Sequence, residues 1–169
     1  MERKFVSIIV GSKSDQECAN ETIAMLKHFD VDYEFVIASA HRTPDRVDEY
    51  TTMADRKGAQ VFICIAGMAA HLAGIVAGHT KKPVIGVPMD TGPLNGIDAL
   101  YSTVMMPGGV PVATMAIGKA GAKNAGILAV QILALNDKTL SNKLEVYRHK
   151  MRAEVIAAST HAEKILKGN

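Results

Sequence analysis

Residues 39–44 read SAHRTP and gather, within a few positions, most of the side chains of this chain that could do chemistry. Arg42 offers a planar fork of donors for phosphate, and Ser39 a hydroxyl. His41 titrates near neutrality and can give or take a proton at physiological pH. The run before them, Phe35 to Ile37, is β-branched and aromatic and predicts a buried strand over 32–37. Thr43 as N-cap and Pro44 as first helical residue predict a helix directly after it. The polar cluster therefore stands at the carboxyl end of a strand, where open α/β sheets bind their ligands.

Two further clusters have the same setting. Gly11, Ser12, Lys13, Ser14 and Asp15 follow the apolar run 5–10. Free N–H groups at that turn favour a phosphate, and Asp15 can accept hydrogen bonds from ribose hydroxyls. Plain helix capping by Ser12 or Ser14 is the competing reading. The segment is neither a P-loop nor a dinucleotide-binding glycine fingerprint. The third cluster, Ala66 to Leu72 (AGMAAHL), closes another apolar run. Gly67, Ala69 and Ala70 would let a ligand approach the backbone, while His71 either meets ligand or caps a structural network.

No spacing of His, Cys, Asp or Glu predicts a metal site, and no Ser/His/Asp or Cys/His order predicts a covalent nucleophile. Cys18 and Cys64 are isolated, which fits a reduced, cytosolic setting. His28, His79, His149 and His161 read as solvated helix residues. What remains is proton transfer with anion binding, without metal or cofactor.

The elements that must hold these clusters follow from periodicity. Strands are expected over 5–10, 32–37, 61–66, 84–87 and 112–117, and helices from after Asp15 to about Phe29, then 44–57, 69–80 and 123–135. A loop over 91–109 carries one helical stretch, 97–104, and is the expected functional loop. This alternation implies an α/β fold: a three-layer, flavodoxin-like parallel sheet with helices on both faces. The chain of 169 residues, 48% hydrophobic, is expected to form one domain. Over 137–167, Leu140, Leu144, Tyr147, Met151, Val155 and Ala158 recur in steps of three and four, predicting one long helix with a narrow apolar stripe. Such a helix outruns a domain of this size, so the stripe is expected to pack on a neighbouring subunit.

The charge balance, 19 basic against 17 acidic residues, leaves no footprint for nucleic acid. The stretch 61–78 is free of Lys, Arg, Asp and Glu, but its interior His71 and its change from β-branched to alanine-rich composition read as strand then helix, not a membrane span. The opening residues lack a secretory cleavage pattern.

The motifs GSKSD (11–15), SAHRTP (39–44), AGMAAHLAG (66–74), PGGVPVATMAIG (107–118) and AKNAGILAVQIL (122–133) resemble, in order and over nearly the whole chain, the 5-(carboxyamino)imidazole ribonucleotide mutases of de novo purine (IMP) biosynthesis. The resemblance implies an isomerase that moves a carboxylate from the exocyclic nitrogen of its ribonucleotide to a ring carbon, giving 4-carboxy-5-aminoimidazole ribonucleotide with no metal, ATP or biotin. By position it implies His41 as acid/base and Ser12, Asp15 and Arg42 as ribonucleotide contacts. Ser39, Gly67, Ala69, His71 and Leu72 would complete the pocket. It further implies flavodoxin-like subunits in a cytoplasmic homo-octamer, sites at subunit borders, and functional coupling to the ATP-dependent carboxyaminoimidazole ribonucleotide synthase. Two positions depart from the family pattern: Met68, where a second glycine is usual, and Thr91-Gly92-Pro93 in the following loop. Two alternatives stand beside this reading, a related carboxylase that takes free carbon dioxide and aminoimidazole ribonucleotide, and a non-enzymatic flavodoxin-like nucleotide-binding module. A receiver module would need an acidic cluster where this chain has Gly11 and Ser12.

Overall fold

A computed structural model describes residues 4–166, and Lys167, where the sequence places the end of the last helix, lies outside them. The chain divides into two compact units, 1–130 and 131–169.

The first unit is built on a five-stranded, wholly parallel sheet in the order β2-β1-β3-β4-β5, with β1 Phe5–Val10, β2 Tyr33–Ile37, β3 Ala59–Ala66, β4 Val84–Pro88 and β5 Ala113–Thr114. Helices α1 Gln16–His28, α2 Pro44–Lys57, α3 Leu72–His79, α4 Ile97–Val104 and α5 Lys119–Ala134 alternate with the strands. This is the flavodoxin-like order, whose ligand crevice opens at the switch point between β1 and β3.

Continuous apolar runs make the central strands. All of β1 is buried, and Val61 to Ile65 of β3 likewise. On one face Phe5, Ile9, Phe62 and Cys64 pack with Val47 and Ala54 of α2 and Leu72 and Val76 of α3. Ser7, on that face, donates its hydroxyl to Tyr50 Oη at 3.1 Å. Elsewhere, α1 and α5 approach closely: a Cβ on Gly126 would stand 2.9 Å from Met25 Cβ, and Thr22 Oγ1 donates to the Ala122 carbonyl at 2.8 Å.

Three expectations change. β2 is an edge strand, so Phe35 and Val36 are half-buried and Ile37 is 39% exposed, where a buried strand was expected. β5 shrinks to Ala113–Thr114, which pair with Ile85 and Gly86; beyond them the chain turns at Gly118 (φ +78°), and α5 starts at Lys119 instead of 123. α3 begins at Leu72 instead of Ala69, because the N–H groups of Ala70 and His71 donate to carbonyls only two residues back, those of Met68 and Ala69 at 2.8 Å each, in tight turns and not in a helical ladder.

The second unit carries α6, Lys138–Leu166. Asp137 caps it: Oδ1 accepts the N–H groups of Thr139 at 2.8 Å and Leu140 at 3.1 Å. On the expected stripe Leu140, Leu144 and Tyr147 are half-buried, whereas Met151, Val155 and Ala158 are exposed. Among the described residues no helix is long and apolar enough to cross a membrane.

Candidate active site

The carboxyl ends of β1, β2 and β3 lie level, with Val10 opposite both Ile37 and Ile65, and Ala66 lies opposite Pro88 of β4. The four segments that leave these strands enclose a cavity of about 490 Å³, within the size range of small-molecule sites. Ser12 and Asp15 line it from the β1 turn, Ser39, His41 and Arg42 from the β2 turn, and Gly67, Ala69, His71 and Leu72 from the β3 turn. These nine residues, expected at the site from the sequence, thus meet in one place. Ala70, expected in the wall, is instead buried in the core.

Residues 39–43 form a turn tied to itself. Thr43 Oγ1 accepts the Ser39 N–H at 2.9 Å and donates to the Ser39 carbonyl at 3.2 Å, and the Thr43 N–H donates to the same carbonyl at 2.9 Å. Thr43 occupies the N-cap position of α2, yet its hydroxyl serves the turn and makes no capping bond, contrary to expectation. Ser39 Oγ accepts the Arg42 N–H at 3.3 Å and its Nε–H at 3.4 Å, and Arg42 Nη2 donates to the Gly11 carbonyl at 3.3 Å. The guanidinium is thereby drawn across from the β2 turn to the end of β1, with donors left for an anion.

Asp15 is the anionic group of the wall. Its carboxylate is buried, with Ser12 Oγ donating to Oδ2 at 3.1 Å and Ser14 Oγ to Oδ1 at 3.3 Å. Burial pushes its pKa above the ordinary 3.8, while the two hydroxyls, the Ser12 backbone and the Arg42 charge pull the other way. Neither Ser12 nor Ser14 makes the capping bond that the competing reading required.

His41 and His71 meet ring to ring, Nε2 of His41 lying 2.8 Å from Nδ1 of His71 with the rings at 76°. Both are exposed to the cavity side. The cysteines offer no nucleophile here: burial, then the charges of Asp90, Asp15 and Glu21, push Cys18 up to about 11, and burial raises Cys64 as well. Among the described residues no group of three or more His, Cys, Asp or Glu is placed to hold a metal ion.

The cavity also takes in side chains that sequence reasoning did not assign to it. Ser14, which the sequence offers as a cap or as part of the 11–15 turn, lines the wall beside Asp15. Thr91 reaches the wall from the loop after β4. Its hydroxyl lies where a Cβ on Gly67 would fall, a tertiary approach without a local signature. Met68, exposed on the rim, lies beside Gly92: a Cβ there would be 3.7 Å from Met68 Cγ, so the two departures from the family pattern are neighbours in space.

A family model described as AIR carboxylase matches residues 5–154. The chain belongs to the AIR carboxylase family. Within it, the chain is 49% identical over 160 residues to the N5-carboxyaminoimidazole ribonucleotide mutase of Thermotoga maritima, covering 95% of this chain and 92% of that one. It is 50% identical over 155 residues to the mutase of that name from Bacillus subtilis, covering 92% and 96%. A crystal structure of Treponema denticola PurE superposes with a TM-score of 0.85 at 30% identity, over 94% of this chain and 98% of that one. Similarity to members of the AIR carboxylase family therefore extends through nearly the whole length of the chain.

Proposed function

We propose that this chain is an N5-carboxyaminoimidazole ribonucleotide mutase, with His41 as its acid/base. The observation that carries the reading is the exposed imidazole of His41 on the wall of a cavity that also holds Arg42 and Asp15, in a chain about half identical to named mutases.

The chemistry then follows from the residues at hand. Arg42 takes the phosphate, and Asp15 with Ser12 takes the ribose hydroxyls; these contacts position the base and make no bonds. The bond between the exocyclic nitrogen and the carboxylate carbon breaks, its electron pair staying on nitrogen. Protonated His41 delivers a proton there, leaving carbon dioxide and aminoimidazole ribonucleotide. The electron-rich ring carbon attacks carbon dioxide, and neutral His41 removes the proton from that carbon. Carboxylate and proton have exchanged places and His41 is protonated again. Ser39, Gly67, Ala69, His71 and Leu72 wall the pocket, and the small residues among them leave room to retain the gas beside the ring.

The reading extends to the assembly. The stripe of α6, with Met151 45% and Val155 70% exposed, supports packing on a neighbouring subunit in a homo-octamer. A cytoplasmic location and functional coupling to the ATP-dependent carboxyaminoimidazole ribonucleotide synthase belong to the same reading.

Product formation from each candidate substrate at low bicarbonate tests the function. Turnover of N5-carboxyaminoimidazole ribonucleotide is expected. Turnover confined to aminoimidazole ribonucleotide with added carbon dioxide would assign the carboxylase reaction instead, and turnover of neither would leave a binding module.

A further inference from the structure

We propose that His71 is the positioning residue of His41: it accepts a hydrogen bond from His41 Nε2–H through its own Nδ1, and so leaves Nδ1 of His41 as the nitrogen that gains and loses the proton. This rests on the acid/base reading of His41 and goes beyond a wall contact for His71.

Two ring nitrogens 2.8 Å apart can hold only one hydrogen between them, since two facing N–H groups would repel. One imidazole must donate and the other accept. The position of His71 decides which. It stands at the N-cap of α3, Leu72–His79, where the unpaired N–H groups of the first turn carry partial positive charge. Those N–H groups favour an electron-rich, bare Nδ1 on His71, the ring nitrogen nearer the backbone, over an N–H at the same place. Asp15, the one carboxylate lining the cavity among the described residues, lies on the β1 turn and accepts hydrogen bonds from Ser12 and Ser14. The shared hydrogen therefore belongs to Nε2 of His41, with Nδ1 of His71 as acceptor.

The other nitrogen of His41 completes the case. Among the described residues the only hydrogen-bond partner of the His41 ring is His71. Nε2 is engaged and Nδ1 is not, on an exposed side chain that lines the cavity. A backbone turn as firmly tied as 39–43 fixes where the ring begins, and His71 fixes how it is rotated.

The experiment joins spectroscopy with kinetics. Imidazole ¹⁵N spectra of the unliganded protein, neutral at both rings, should show His41 protonated at Nε2 and bare at Nδ1. His71→Ala should lower kcat by about 10- to 100-fold, the usual scale for losing a supporting hydrogen bond, with KM within about threefold. His71→Asn, whose amide oxygen can stand near the lost Nδ1, should recover most of that loss. His41 carrying its proton on Nδ1 would overturn the proposal. So would a rise in KM with kcat preserved, or an Asn variant no better than Ala. Failure of the mutase reading would appear separately, as an unmodified protein without turnover, and the spectra would still decide the pair.

Discussion

The hydroxyl of Thr91 fills the space beside Gly67 that a side chain at position 67 would need: an added Cβ would overlap Oγ1 and stand 3.2 Å from Thr91 Cβ. The loop after β4 is thus keyed into the turn after β3, and both line the cavity. Gly67→Ala should destabilise the protein by about 1–3 kcal/mol, the usual cost of overpacking. Adding Thr91→Ala removes the overlapping oxygen and should restore part of that loss. A double-mutant cycle in urea measures the coupling; two strictly additive losses would show that the sites do not touch.

Met68 pays for its place. A left-handed φ of +55° costs a non-glycine residue roughly 1–2 kcal/mol, and with 59% of its surface exposed Met68 regains little by burial. Met68→Gly should therefore stabilise the chain by up to about 1 kcal/mol, after allowing for glycine's greater unfolded entropy. In a protein of this size that is a Tm rise of about 2–4 °C in thermal unfolding. A lowered Tm would mean that the Met68 side chain holds the loop at Gly92.

Asp15 makes stability depend on pH in a defined sense. Its folded pKa lies above the ordinary 3.8, so the folded protein binds this proton more tightly than the unfolded chain. The stability it contributes is full below the ordinary carboxylate pKa and is lost as pH rises through the raised value. Asp15→Asn should abolish that dependence and should be the more stable form at neutral pH, as judged by urea titrations from pH 3.5 to 7. In the proposed reading the same change removes the acceptor of the ribose hydroxyls, and it should weaken nucleotide binding by about 1.5–3 kcal/mol. Unchanged affinity by calorimetry would take Asp15 out of the nucleotide site.

The sequence carries most of this architecture on its surface, and the exceptions share a cause. Phe5–Val10, Pro44–Lys57 and Ile97–Val104 begin and end as their periodicity and flanking residues dictate, Gly58 closing α2 with φ +107°. What local patterning could not show was tertiary. Phe35 and Val36 have core chemistry but lie on an edge strand, because strand order is not written in one strand. Thr43 has an N-cap's identity, yet the Ser39 backbone captures its hydroxyl. The three polar turns were legible because each follows an apolar run. That Thr91 joins them depends on Gly67 leaving room for it, from a loop separated by a helix and a strand.

One imidazole carries the reaction's proton in the proposed mechanism, and replacing it is the direct measurement. His41→Asn, assayed with N5-carboxyaminoimidazole ribonucleotide, should lose at least about 10²- to 10⁴-fold in kcat, the contribution expected of a positioned acid/base. Ribonucleotide affinity, which the proposed reading assigns to Arg42, Ser12 and Asp15, should stay within a few-fold. Turnover by the variant within tenfold of the unmodified enzyme would contradict the account.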